Sequence, residues 1–151
     1  MKRTFALAIC VLMLLCFFGC SRSSEVDKNN AALSEAVKAI NTDEIVLNDL
    51  TTFDWDVMYT FDHFLPKENI EKIIGFSSYY IKATYNEAQT QMIFLKDNKL
   101  VCSIWGYSNN IGFFVSFGRY DGDYLAIEQI ENAVFTVDYS GDEIVLTYKQ
   151  G

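Results

Sequence analysis

Chemistry needs reactive side chains at workable spacing, and this chain carries few of them. Its single histidine, His63, lies in Asp62-His63-Phe64-Leu65-Pro66. A zinc site needs several Cys or His ligands, and beyond residue 20 only Cys102 joins that histidine. A serine-type triad would draw Ser and Asp from elsewhere, and no Gly-x-Ser-x-Gly elbow occurs. His63 therefore reads as an ordinary loop histidine. Asp54 and Asp56 fall on one face of a predicted strand, about 7 Å apart at two residue rises, a separation like that of glycosidase carboxylates. No neighbouring feature raises either pKa, so a solvated pair is the simpler reading and hydrolysis by surface carboxylates the lesser alternative. Asp121-Gly122-Asp123 and Glu128 supply oxygen ligands at offsets that are not those of a calcium loop, and a Gly turn accounts for them. Phosphate loops, nucleotide fingerprints and basic aromatic stripes are absent from the sequence. Neither a metal nor a cofactor is expected.

Two groups of residues remain as candidates for binding. Tyr79, Tyr80, Tyr85, Trp105, Tyr107, Tyr120 and Tyr124 fall near predicted strand ends and loops. Exposed there, they would stack on sugar rings or form a protein interface; buried, they would only fill sheet faces. Trp105 and Tyr107 are the centre of a carbohydrate or cell-wall binding reading. The second group is Asp54, Asp56 and Asp62, which face outward if Phe53, Trp55, Val57, Tyr59 and Phe61 face a core. That acidic face would suit a basic protein partner.

The composition narrows the field. The chain has 151 residues and a formal charge of −8, which argues against a protein that neutralises phosphate backbones; no nucleic-acid partner is expected. Lys2 and Arg3 precede an apolar run from Phe5 to Phe18, then Gly19-Cys20 and Ser21-Arg22-Ser23-Ser24. The run is too short to span a bilayer, where about 20 apolar residues are needed, and suits the core of a secretory signal. Phe17-Phe18-Gly19-Cys20 resembles the cleavage site of bacterial lipoprotein leaders, with Phe-Phe where that family usually has Leu and a small residue. The resemblance implies cleavage before Cys20 and lipidation of its thiol. Ordinary signal-peptidase cleavage and an uncleaved anchor stay open. Residues 1–19 would then be a lipoprotein-type signal peptide, residues 20–30 a lipidated Cys and flexible tether, and residues 31–151 one domain. Losing residues 1–19 removes Lys2 and Arg3 and no acid, which takes the charge from −8 to −10 over 132 residues. Such a domain would be held outside the cytoplasmic membrane by lipid rather than by its own charge. Cys102 would be the last thiol, buried in a strand and inert.

The positioning elements follow from periodicity. Leu33, Ala36, Val37 and Ile40 predict a short helix over 31–40, capped by Asn29 or Asn30. Residues 43–50 read as extended. The alternation over 53–61 predicts a strand with one buried face. Pro66 to Gly75 is punctuated as a helix, with Pro at the first turn and Gly at the left-handed stop. Residues 90–95 and 99–107 form a hairpin about Lys96-Asp97-Asn98, residues 112–117 a further strand, and residues 133–139 and 143–149 a last hairpin. Residues 126–130 are a turn of helix or a short strand. The expected fold is α+β, a mostly antiparallel sheet of about six strands with two short helices on one face or end.

Read together, Phe53-Asp54-Trp55-Asp56, the 66–75 helix and Phe94-Leu95-Lys96-Asp97-Asn98-Lys99-Leu100-Val101 resemble a group of small, uncharacterised bacterial lipoproteins, over residues 1–118. The layout of a short Gly-ended helix before a strand meander is also similar to accessory lipoproteins of outer-membrane β-barrel assembly. These likenesses imply a location in the cell envelope and no activity. The expected function is a membrane-anchored, non-enzymatic interaction domain on the extracytoplasmic side. Its partners would be the membrane, through the lipid, and a protein or glycan; the oligomeric state stays open.

Overall fold

The computed structural model describes residues 24–139, 141 and 143–150. The expected signal peptide and Cys20 lie outside the described residues. The fold is α+β, and the described residues form eight strands and four α-helices where the sequence suggested about six and two. The elements in chain order are α1 (Glu25–Lys38), β1 (Glu44–Val46), α2 (Leu47–Leu50), β2 (Val57–Phe61), α3 (Lys67–Ile74), β3 (Gln89–Lys96), β4 (Lys99–Tyr107), α4 (Ser108–Ile111), β5 (Phe113–Ser116), β6 (Tyr124–Glu128), β7 (Val134–Asp138) and β8 (Ile144–Tyr148). The strands form two four-stranded sheets, ordered β1-β7-β8-β5 and β4-β3-β2-β6. Neither sheet comes from a continuous stretch of chain. All pairings are antiparallel except β5 with β8. Among the described residues no helix is long and apolar enough to cross a membrane.

The helix α1 begins well before the predicted residue 31. Ser24 caps it: its Oγ accepts from the Asp27 N–H at 3.1 Å, and Asp27 accepts in return from the Ser24 N–H at 3.2 Å. This reciprocal pair satisfies two of the N–H groups that every helix start leaves unbonded. Residues 25–30, expected as tether, are therefore helical. Asn29 and Asn30 are not caps. Their side chains bond the edge of β4, where Asn29 donates to the Val101 carbonyl at 2.8 Å and Asn30 accepts from the Ser103 N–H at 2.7 Å. An edge strand that would otherwise offer free backbone groups is thus covered. Leu33 and Val37 carry the helix into the core, as their spacing predicts.

Between the sheets lies one large core. Met58, Met92, Phe94 and Ile127 from one sheet meet Phe113, Phe135 and Leu146 from the other. A smaller core sits on the opposite face of the β2–β3 pair, where Ile70 and Ile74 of α3 pack on Phe61, Ile81, Ile93 and Leu95. The two longer helices therefore serve different cores rather than one face. The strand β2 is buried on both faces, with Met58 turned to the large core and Phe61 to the small one. The predicted one-faced strand over 53–61 is corrected accordingly. Only Val57–Phe61 is strand, and Phe53 and Trp55 meet Phe94 edge-on from the preceding loop, at 5.5 and 5.3 Å between ring centroids.

The helix α3 follows its punctuation: Pro66 precedes it, and Gly75, at φ 95°, donates its N–H to the Glu71 carbonyl. The β3–β4 hairpin turns on Asp97 and Asn98, both at positive φ (48° and 57°), the arrangement that matches strand twist in a two-residue turn.

Candidate functional site

A cleft of about 670 Å³ opens where β2 and β3 part company. Pairing of β2 with β3 ends at Tyr59↔Ile93, while pairing with β6 runs on to Phe61↔Tyr124. The end of β2 therefore follows β6 and leaves β3. Residues 114–120, from β5 and the loop after it, form the far wall. A bond from the Val115 N–H to Thr90 Oγ1, 2.9 Å and buried, ties β5 to β3 behind the cleft. Gln150 Nε2 donates to the Phe117 and Arg119 carbonyls at 2.9 Å each, which holds the wall loop in place.

The floor is polar and buried. Thr60, Thr84, Gln89 and Gln91 all line the cleft, and each is 4% exposed or less. Most of their polar atoms are matched. Thr60 Oγ1 shares a hydrogen bond with Tyr120 Oη at 2.9 Å, Thr84 Oγ1 pairs with His63 Nδ1 at 3.2 Å, and Gln89 Oε1 accepts from the Tyr85 N–H at 2.7 Å. Gln91 Nε2 donates to the Lys82 carbonyl. Gln91 Oε1 is buried without a partner among the described residues. Buried carbonyl oxygens are nearly always bonded, so an unmatched one at a cleft marks a place for a donor. Burial, with the nearby Asp62 charge adding to it and the Thr60 bond opposing it, raises the Tyr120 pKa, so its hydroxyl keeps its proton at neutral pH.

Charged side chains also line the cleft. Asp62, Glu87 and Arg119 stand at the mouth, and Arg119 forms no ion pair among the described residues. Phe64 holds a left-handed backbone (φ 67°) and exposes 68% of its surface; Tyr85 exposes 65%. Their stretches are joined by the Phe64 N–H bond to the Thr84 carbonyl, 2.9 Å.

The residues singled out from sequence scatter across this picture. Trp105 Nε1 donates to the Ala83 carbonyl at 2.9 Å, Tyr107 Oη accepts from Asn86 Nδ2 at 2.7 Å, and Ser103 Oγ donates to the Tyr80 carbonyl at 2.8 Å. These side chains pin residues 80–86 across the sheet and so fix one wall of the cleft. Trp105 and Tyr107 keep 38% exposure each, beside the cleft and outside it. Asp62 stands at the cleft mouth, while its carboxylate accepts the His63 main-chain N–H at 2.8 Å. Asp54 and Asp56 lie at the other end of β2, in a separate hollow beside Lys96 and Glu128. At about 3.3 Å per residue, Asp56 and Asp62 are about 20 Å apart along the strand, so the three acids do not form one patch. Asp56 instead fastens the β3–β4 turn, accepting from Lys96 Nζ at 2.5 Å and the Asp97 N–H at 2.7 Å. The Lys96 bond, followed by the Asp97 N–H, holds its carboxyl below the usual carboxylate range.

Cys102 is buried, its thiol donating to Asn30 Oδ1 at 3.2 Å, and burial pushes its pKa far upward. Among the described residues no group of three or more His, Cys, Asp or Glu side chains gathers as a metal site. The sequence reading passed over Gln89, Gln91, Thr84 and Arg119. The signal for the first two was present, as Gln89-Thr90-Gln91 places polar residues at the head of a strand that continues as Met92-Ile93-Phe94-Leu95.

Fold and cleft together define a two-sheet α+β protein with an open, polar-floored pocket at a strand divergence. In comparisons with known proteins, no family model, curated protein or solved structure matches the chain.

Proposed function

We propose that the protein is a membrane-anchored lipoprotein of the cell envelope that binds a small polar ligand in the β2–β3 cleft and performs no covalent chemistry on it. The observation that carries the binding reading is the buried, unpartnered Gln91 carbonyl at the cleft floor. Its volume of about 670 Å³ falls within the roughly 300–1,000 Å³ span of small-molecule sites. Binding rather than catalysis is supported by how the reactive groups are spent. The Thr84 hydroxyl that meets His63 is 1% exposed, and Asp62 bonds the His63 main chain rather than its ring. No base orients a reachable nucleophile. The anchor is supported by the leader pattern ending in Gly19-Cys20.

Each part has a direct test. Metabolic palmitate labelling should mark the wild-type chain and not Cys20→Ala, with processing blocked by globomycin. Labelling that survives Cys20→Ala removes the anchor reading. For the cleft, a library of small polar molecules should give ligand-observed NMR hits on the full chain, and those hits should vanish in Ser116→Trp, which fills the cleft from β5. Hits that persist in that variant, or no hits at all, refute the binding reading.

A further inference from the structure

We infer that the surface around Ser24 and Tyr79 rests on the lipid headgroups, with the Tyr79 ring set among them. This rests on the reading of Cys20 as a lipid anchor and names the face that the anchored domain turns to the membrane.

The length of the leash limits which faces can touch. Cys20 stands four residues before Ser24. Even a fully extended chain keeps Ser24 within about 14 Å of the lipidated sulfur. The headgroup layer on each side of a bilayer takes up roughly 5–8 Å of that. A folded chain of this size is about 35 Å across, so surfaces opposite Ser24 are out of reach of the membrane.

Ser24 belongs to the folded domain and cannot lengthen the leash. Its Oγ accepts from the Asp27 N–H at 3.1 Å and shares a hydrogen bond with Tyr80 Oη at 2.6 Å, and Tyr80 Oη also donates to the Asp27 carboxylate at 3.1 Å. Freeing Ser24 would open the cap of α1.

The ring beside this point is Tyr79. It meets the Tyr80 ring edge-on at 5.6 Å between centroids, and it is 78% exposed, more than any other aromatic side chain among the described residues. Lys82 Nζ sits 4.0 Å above its centroid and forms no ion pair among the described residues. A tyrosine joins an apolar body to a wet hydroxyl, and a lysine carries its ammonium out on an apolar stem, which are the side chains that suit the headgroup layer. Glu25 and Asp27 lie at the same end of the domain, so charge supplies no net pull and the ring makes the contact. Tyr85 is nearly as exposed but stands farther off. Residues 80–86 run along β4, from Tyr80 at Ser103 to Asn86 at Tyr107, a distance of about 13 Å.

The test uses the lipidated protein purified from membranes, in nanodiscs of zwitterionic lipid doped with a headgroup spin label. Mass spectrometry first establishes the lipid on Cys20. The amide NMR signals of Tyr79 and Lys82 should be broadened by the label, and those of Arg119 and Gln150, at the far wall of the cleft, should keep their intensity. In Tyr79→Ser, a change at an exposed position that leaves leash and cap in place, the broadening at Lys82 should be lost while that at Glu25 remains. Broadening that is even over the domain, that centres on another face, or that survives Tyr79→Ser overturns the inference and leaves the anchor standing. A chain without lipid on Cys20 overturns the anchor reading and this inference with it.

Discussion

Replacing Gln91 by Met should leave stability almost unchanged, while replacing its neighbour Thr90 by Val should lower it clearly. Both positions are buried and polar, and both replacements nearly conserve volume. The two sites differ in how their polar atoms are matched. At Gln91 the amide nitrogen bonds the Lys82 carbonyl while Oε1 has no partner. Losing the bond costs about 0.5–1.5 kcal/mol net, and removing a buried unpaired carbonyl returns about 1–3 kcal/mol. The opposing contributions offset to within about 1 kcal/mol. At Thr90 the hydroxyl accepts from the Val115 N–H, and Val115 is 4% exposed. Valine would strand that N–H in the interior at a cost of about 1–3 kcal/mol. With a urea slope of about 1–3 kcal/mol/M for a chain of this size, Thr90→Val should move the unfolding midpoint down by about 1 M and Gln91→Met by well under half of that. Urea titrations followed by tryptophan fluorescence decide the matter, provided the slope stays constant. A Gln91→Met loss as large as that of Thr90→Val would mean that Oε1 has a partner in solution, and the argument for the cleft floor would fail with it.

Other perturbations test the supporting structure. The carboxyl of Asp56 is held low by Lys96 and the Asp97 N–H, so its stabilisation is complete above its unfolded value of about 4 and is lost as pH falls through the lower folded value. Asp56→Asn should therefore lower the urea midpoint at about pH 7, and the difference should shrink as pH falls through the folded value. Ser24→Ala removes the N-cap of α1 and its 2.6 Å bond with Tyr80; it should cost about 1 kcal/mol and speed amide exchange in the first helical turn, and unchanged exchange would count against the cap. Burial and a raised pKa make Cys102 unreactive. Peptide mapping after maleimide treatment should find it unlabelled in the native chain and labelled in urea.

What the sequence made legible is what nearby residues decide. Pro66 and Gly75 bracket α3, and Asp97-Asn98 turns the hairpin, because both signals act within a few residues. The onset of α1 was also local: Ser24-Glu25-Val26-Asp27 is a capping box, masked by the polar composition that made residues 21–30 look like a tether. The period-two alternation over 53–61 located a strand but not its neighbours. Period alone does not say how many faces are buried, and β2 turned out to be central, with cores on both sides. The cleft was beyond reach for a different reason. It exists because β2 leaves β3 to follow β6, a strand more than sixty residues later, and because β5 closes the far side. The task of Asp56, likewise, depends on a turn 41 residues away.

The position of β8 bears on how the protein can be made. It is last of the eight strands in chain order, yet it lies inside its sheet, between β7 and β5, and its bond to β5 is the one parallel pairing. Until β8 has been made, β5 has no neighbour in that sheet. Pairings between distant, parallel segments form late because the loop must close before the contact rewards it. The sheet that holds β5 is thus completed only once the last strand of the chain has been made, so its folding follows synthesis rather than accompanying it.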